Sequence, residues 1–423
     1  MKLINKILKN HKSSLFSIFS LGFKFFTGPL AIILIASRFT VIEQSIYYTF
    51  MSISSIQWVL EMGVSTCLIQ FMAAEKEKRA TYSKIAFIFY SAISILLYII
   101  FYFYSKWIFS DTDIEIWRQP WILFSVGVCI NVFTTFIYII EEGGGAYEKV
   151  YFAKFISSIL YSLSLLLSLF LGLKLYSLGI AQFFLFATPI ILYRSKIYSY
   201  YHSFRINNET NIRIIIKDIV KFQVKLSLVW ITGYLYWNFF TIYFYKYVSV
   251  DLAGKYGASN TIFGAISLAM LSILQTKRAL IGNLISRNAI LEVKKIVSQC
   301  VSLSVAGFAL GSIAIISVMW LWPNPLFSRF LSLDSLIALL VFRFFIHLQE
   351  LILIYLRMYK DEPIYILTVF NYLTTPCLVV FLVDRFSITY FFYIMAFVQF
   401  LFFLCYVIKA KLYIREKYYN DLL

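Results

Sequence analysis

Apolar runs of about 20 residues recur from one end of this chain to the other, each long enough to cross a hydrocarbon layer of about 30 Å as an α-helix. A segment in lipid has to satisfy its own backbone, which restricts spanning structures to helices and closed barrels. A barrel needs strands of roughly ten residues that alternate apolar with polar, whereas Ile85 to Tyr104 is apolar on every face. The sequence therefore specifies an all-α membrane protein. Spans are expected near 13–37, 46–72, 84–107, 119–140, 151–171, 176–193, 222–246, 256–275, 298–321, 335–356, 363–383 and 386–408. With 61% of 423 residues hydrophobic and 14% charged, nothing is left over for a soluble domain.

The net charge of +17 raises nucleic acid as a partner, but the cations lie between the spans. With the N-terminus in the cytoplasm, cytoplasmic segments hold 28 Lys and Arg and the opposite side holds 8. The excess therefore reflects topology and contact with anionic lipid, with both termini cytoplasmic and no nucleic acid. The first span follows a basic stretch, yet it is about 25 residues long, carries Lys24 and has no small-residue cleavage site. The longest basic connection divides the chain into a six-helix lobe at 1–198, a basic cytoplasmic linker at 199–221 and a second six-helix lobe at 222–423. Two such lobes suggest a substrate site around a central cavity at their junction. Lys277 to Ile296 has the spacing of an amphipathic helix lying on the cytoplasmic leaflet. Pro29, Pro189 and Pro376 sit within spans, Gly307 and Gly311 form a small-xxx-small pair, and all five cysteines read as apolar packing residues.

Ionisable groups at membrane depth are costly, about 2.5–3.5 kcal/mol at a helix centre, and usually face a bundle interior or a wet cavity. Lys24 lies about 16 Å into the first span at 1.5 Å per residue. Glu61 is in the second span, and Arg343, His347 and Glu350 share one stripe of the tenth at i, i+4, i+7. These five are the candidate cavity residues. Ion pairs that fix helix register, Lys24 with Glu61 and Arg343 with Glu350 or a neighbour, are the structural alternative. Glu141 and Glu142 end the fourth span against the sign of the helix dipole, which makes them candidates for gating or ion coupling. Trp58, Trp230, Tyr234 and Trp237 are candidate sugar-stacking platforms, although most aromatics in such a chain face lipid or its interfaces.

No Gly-x-x-x-x-Gly-Lys-Ser/Thr loop is present to cradle ATP phosphates, and no His-Glu-x-x-His to hold zinc. No cofactor, metal or catalytic group is expected, and a proton or sodium gradient is the candidate driving force. Asp111-Thr112-Asp113 has the Asp-x-Asp spacing of sugar-nucleotide enzymes, but it falls in a short outer loop and reads as a solvated turn.

Gly22-Phe23-Lys24-Phe25-Phe26 with Gly28-Pro29-Leu30, Leu60-Glu61-Met62-Gly63-Val64-Ser65, Glu142-Gly143 and Gly254-Lys255-Tyr256-Gly257 together resemble segments of the bacterial polysaccharide flippases. These are the Wzx-type O-antigen and lipid-linked oligosaccharide translocases of the multidrug, oligosaccharidyl-lipid and polysaccharide exporter superfamily, and the span count extends the likeness over the whole chain. The resemblance implies two six-helix lobes around a cationic cavity in the bacterial inner membrane. It also implies translocation of an undecaprenyl-pyrophosphate-linked repeat unit, with Lys24 and Arg343 meeting the pyrophosphate. A polysaccharide polymerase and a chain-length regulator are the implied protein partners.

Two other classes remain open. A small-solute transporter or drug extruder shares the topology, although Ala73 to Lys84 lacks the Gly-x-x-x-Asp-Arg-x-Gly-Arg pattern of major-facilitator loops. A membrane-embedded polysaccharide polymerase shares the hydropathy but needs a large outer loop, and no outer loop in this span map exceeds about 15 residues. The charge asymmetry predicts that reporter fusions at Lys78, Arg205 and Arg287 are cytoplasmic and those at Asp113 and Asn324 external. An external signal at Arg205 would overturn the map.

Overall fold

The computed structural model describes residues 23, 27–197, 200, 212–322, 324–359 and 362–420. Among them, nine helices are long and apolar enough to cross a bilayer: Val41–Ala74, Arg79–Ile108, Ile114–Gly143, Tyr147–Phe170, Val250–Ile285, Ile290–Leu321, Leu333–Arg357, Tyr365–Leu382 and Ile388–Lys417. Two shorter apolar helices, Thr27–Arg38 and Tyr176–Leu192, and the 32-residue helix Ile212–Tyr243 bring the count to the twelve expected. The protein is an all-α membrane protein. In chain order the helices are α1 (Thr27–Arg38), α2 (Val41–Ser54), α3 (Gln57–Glu61), α4 (Val64–Ala74), α5 (Arg79–Ile108), α6 (Ile114–Gly143), α7 (Tyr147–Phe170) and α8 (Tyr176–Leu192). They continue with α9 (Ile212–Tyr243), α10 (Val250–Gln275), α11 (Arg278–Ser286), α12 (Ile290–Leu321), α13 (Leu333–Arg357), α14 (Tyr365–Leu382) and α15 (Ile388–Asn420).

Two compact units emerge, Met1–Tyr234 with Thr241–Val250, and Leu235–Phe240 with Asp251–Leu423. Of the stretch expected as a linker, 199–221, residues 199 and 201–211 lie outside the described residues, whereas 212–221 are the first turns of the helix Ile212–Tyr243 and not a linker. In the first unit, α6 lies against α5 and α8, and α7 lies against α8. Gly127 and Gly179 allow the α6–α8 approach: a Cβ on Gly179 would stand 2.5 Å from Leu123 Cγ, and one on Gly127 would stand 2.8 Å from Gln182 Cβ. In the second unit α13 and α15 form the most extensive pair. Gly307 and Gly311 of α12 face Met270 and Ile266 of α10, so the small-xxx-small spacing does mark a helix contact.

Helix starts use local side chains. Thr40 and Glu43 form a reciprocal capping box at α2, with Thr40 N–H donating to Glu43 Oε2 at 2.8 Å. Asp113 accepts from Glu115 N–H at the start of α6. Hydroxyls inside the helices bond the preceding turn, as Thr49 does to Ser45 O at 2.8 Å and Ser91 to Phe87 O at 2.7 Å, which removes their cost in hydrocarbon. Large apolar side chains such as Ile95, Phe103, Leu268, Leu310 and Ile366 remain exposed, the expected surface of a protein whose solvent is lipid.

Three local expectations change. The second span is broken, with Met62 at φ +50° and Gly63 at φ +76°, both left-handed. The segment between Lys277 and Ile296 is divided between a nine-residue helix, α11, and the start of α12; Ile281 of α11 is fully buried and packs with Leu271, Leu274, Val293 and Met358. Part of the apolar face thus serves the protein's own core, while Leu280 on it stays exposed. Of the cysteines, Cys67, Cys129 and Cys300 are buried, but Cys377 and Cys405 are exposed.

Asp111 and Asp113 are placed by contacts. Lys246 lies 2.7 Å from Asp111, and its hydrogen bond holds the exposed Asp111 carboxyl below the usual range. That contribution is present above the unfolded carboxyl pKa and is lost as pH falls through the lowered folded value. The close α6–α8 contact predicts that Gly179→Val, which has to displace Leu123, lowers stability by about 1–3 kcal/mol, whereas Gly28→Ala, whose Cβ meets nothing within 4 Å among the described residues, does not lower it. Thermal melting of the detergent-solubilised protein checks both.

Candidate functional site

The break at Met62–Gly63 ends α3 just after Glu61 and turns this carboxylate toward α5, where Tyr90 O–H donates to Glu61 Oε1 at 2.9 Å. Around it lies a cavity of about 340 Å³ within the first unit. Its wall is formed by Gln57, Trp58, Glu61, Ser65, Thr66 and Ile69 of the broken span, Tyr90 of α5, and Lys154 of α7. From α6 come Asn131, Val132, Thr135, Tyr138, Ile139 and Glu142. Trp58 and Glu61 share this cavity, and Glu142 closes it with Lys154, whose ammonium is 3.0 Å away. Trp230 stacks against Trp58, with centroids 6.3 Å apart and planes 25° apart.

Glu141 and Glu142 answer the helix-dipole problem in the same way. Glu141 is buried, accepts from Lys196 Nζ at 2.5 Å and accepts from Tyr200 O–H. Glu142 accepts from Lys154 and, at 3.4 Å, from Tyr151 O–H. The C-terminal end of α6 is thus tied to α7 and to the segment after α8, all inside the first unit. This arrangement is that of a clamp.

The tenth-span stripe separates in the structure. Arg343 donates from Nε to Asn260 Oδ1 at 2.6 Å, and its guanidinium sits 5.3 Å from the Trp237 ring centroid. His347 has no exposed surface; Nδ1 is 2.8 Å from Ser267 Oγ, Nε2 is 3.1 Å from Ser304 Oγ, and the ring stacks on Phe308. Both nitrogens are occupied, which makes His347 a packed interhelical residue and not a cavity wall. Glu350 accepts from Tyr372 O–H at 3.4 Å, so the expected pair with Arg343 is replaced by a hydroxyl bond. Tyr234 lies beside Tyr104. Lys24 lies outside the described residues.

Sequence reasoning missed a buried amide cluster in the second unit. Gln349, Asn371 and Gln399 are essentially without exposed surface. Gln349 Nε2 donates to Gln399 Oε1 at 3.0 Å, Asn371 Nδ2 to Gln349 Oε1 at 2.9 Å, and Gln399 Nε2 to Asn371 Oδ1 at 3.0 Å. Tyr236 and Thr375 join through their hydroxyls. Three amides in the middle of three apolar spans were the available signal. Among the described residues no cluster of His, Cys, Asp and Glu is suited to a metal.

No protein-family model matches the chain, and no curated protein does either. Solved structures do. A multidrug resistance MATE family transporter of the MOP superfamily in its inward-facing conformation aligns over 93% of this chain and 98% of its own, at TM-score 0.62 and 14% identity. The lipid II flippase MurJ in an inward closed conformation aligns over 94% and 87%, at TM-score 0.66 and 12% identity. The Vibrio cholerae MATE transporter VcmN aligns over 96% of both chains, at TM-score 0.60 and 12% identity. At these identities what is shared is the fold, one used by transporters and flippases.

The clamp has a measurable signature. Lys196→Ala leaves Glu141 buried without its cation and lowers stability by about 1–3 kcal/mol, below the cost of breaking a fully buried pair because Lys196 is half exposed. Adding Glu141→Gln recovers much of that loss. Melting temperatures of the single and double variants check it, and a double variant no better than Lys196→Ala would refute the clamp.

Proposed function

We propose that this chain is a flippase that moves an undecaprenyl-pyrophosphate-linked oligosaccharide, an O-antigen or capsule repeat unit, across the bacterial inner membrane by alternating access. Arg343 carries the reading. A guanidinium within a span is costly, and among the described residues no carboxylate forms an ion pair with it. It is oriented by Asn260 and Trp237 while its terminal nitrogens remain available. That is a preorganised fork for phosphate oxygens. A cation kept at membrane depth without an ion-paired carboxylate among the described residues favours an anionic substrate. Lys24 is proposed as a second cation for the same head group, and the lipid tail stays in the bilayer. Partner polymerase and chain-length regulator proteins, and a proton or sodium gradient as driving force, belong to the same proposal. The fold is equally compatible with a small-solute extruder, which would depend on Glu61 and not on Arg343.

A hydrogen bond to a charged group is worth about 1.5–3 kcal/mol. Arg343→Ala is therefore expected to weaken substrate engagement roughly tenfold or more and to abolish surface glycan in a translocase-deficient strain, while Arg343→Lys retains part of it. Membrane levels are checked by immunoblot. Lys24→Ala is expected to fail as well. Full rescue by adding Glu61→Ala would reduce Lys24 to a partner of Glu61. Normal glycan export by Arg343→Ala, with cationic dye efflux lost in Glu61→Gln, would favour the extruder.

A further inference from the structure

The geometry points to the cavity beside the Met62–Gly63 break as a sugar-binding subsite that takes one or two pyranose rings of the transported glycan, a reading that rests on the flippase proposal. Three observations carry it. First, the cavity, about 340 Å³, is at the lower end of the range for ligand pockets, about 300–1,000 Å³. It has room for a sugar unit and not for a whole repeat unit with its lipid. Second, its wall mixes acceptors with donors. Glu61 is a carboxylate with a single neutral hydroxyl donor, Tyr90. Gln57, Thr66 and Asn131 line the cavity with no side-chain hydrogen bond to another described residue, and Lys154 presents an ammonium already balanced by Glu142. Polar groups left unpaired at membrane depth cost free energy unless water or a ligand satisfies them. Third, Trp58 is about half exposed on this wall and is backed by Trp230. This gives an aromatic platform for the C–H face of a ring whose hydroxyls meet the amides and Glu61.

The chemistry argues against the two other occupants. A metal ion would need several carboxylate or imidazole ligands, and Glu142 is already engaged by Lys154. A hydrophobic cation could meet Trp58, Tyr90, Tyr138 and the Glu61 carboxylate, but it would leave the Gln57, Thr66 and Asn131 side chains on the same wall without hydrogen-bond partners.

The test uses the full-length chain in nanodiscs. Saturation-transfer NMR is recorded with a panel of lipid-free neutral and N-acetylated hexoses, 6-deoxyhexoses and their disaccharides, alongside tryptophan fluorescence. At least one sugar is expected to receive saturation and to change the fluorescence. Asn131→Ala and Thr66→Val are each expected to weaken that binding at least severalfold while leaving the melting temperature unchanged, because neither side chain holds a bond in the fold. Absence of transfer to every sugar in the panel, or transfer unaffected by both substitutions, overturns the subsite. So does tetraphenylphosphonium binding that is abolished by Glu61→Gln in a protein that binds no sugar. The two proposals fail separately: lost sugar binding with export still dependent on Arg343 removes the subsite alone. Sugar binding sensitive to Asn131→Ala with export indifferent to Arg343 upholds the subsite and removes the phosphate contact.

Discussion

Hydrocarbon offers a backbone no hydrogen-bonding partner, and that single constraint organises this protein. Long helices satisfy the peptide groups internally, serine and threonine hydroxyls fold back onto carbonyls three or four residues behind them, and the remaining surface is left apolar. Departures from this economy are few, and each one has to be compensated. The broken second span is the clearest. Two consecutive left-handed residues interrupt its ladder, and the groups gathered at the break are Glu61, Tyr90 and the polar wall of a cavity. Glycine accounts for half of that geometry; Met62, with a side chain at φ +50°, accounts for the rest and marks a conformation that surrounding packing must hold.

The same constraint sorts the buried polar groups into two kinds. Gln349, Asn371, Gln399 and His347 are closed: their donors and acceptors find one another or a hydroxyl. A satisfied network in low dielectric fixes helix register and adds rigidity. Arg343, Asn131 and Glu61 are open, with capacity left over after their bonds to the described residues. Glu141 and Glu142 belong with the closed kind once Lys196 and Lys154 are in place, even though their position at a helix C-terminus first suggests a switch.

The spans were legible in the sequence because length and hydropathy are all that a membrane asks of a helix. Expected boundaries such as 84–107 and 335–356 fall inside α5 and α13. The small-residue spacing at Gly307 and Gly311 was legible for the same reason, being a local pattern with a local consequence. The partners were not. Nothing in the spacing of Glu141 distinguishes a gate from a clamp, because Lys196 and Tyr200 are about 55–59 residues away and reach it only once α8 has folded back on α6. The amide cluster likewise draws on three helices. Uncharged side chains in apolar spans attract less notice than charges, although three mutually bonded amides do as much to order a bundle.

The stripe on α13 shows why periodicity alone could not assign function. Arg343, His347 and Glu350 lie at i, i+4, i+7 and so must share a face, yet a face roughly 10 Å long at 1.5 Å per residue meets different neighbours along its length. Near its start, α10 and α9 offer Asn260 and the Trp237 ring, which orient a guanidinium without neutralising it. One turn on, serines from α10 and α12 cap both imidazole nitrogens and Phe308 covers the ring. A turn further, Tyr372 of α14 supplies a hydroxyl to the carboxylate. The cation is thereby separated from Glu350, the next acid on its own helix, by a buried histidine. Had Glu350 stood at position 347, the two charges would sit one turn apart and pair, and the guanidinium would lose its claim on an anionic ligand. The order of the three residues, more than their presence, is what leaves Arg343 open.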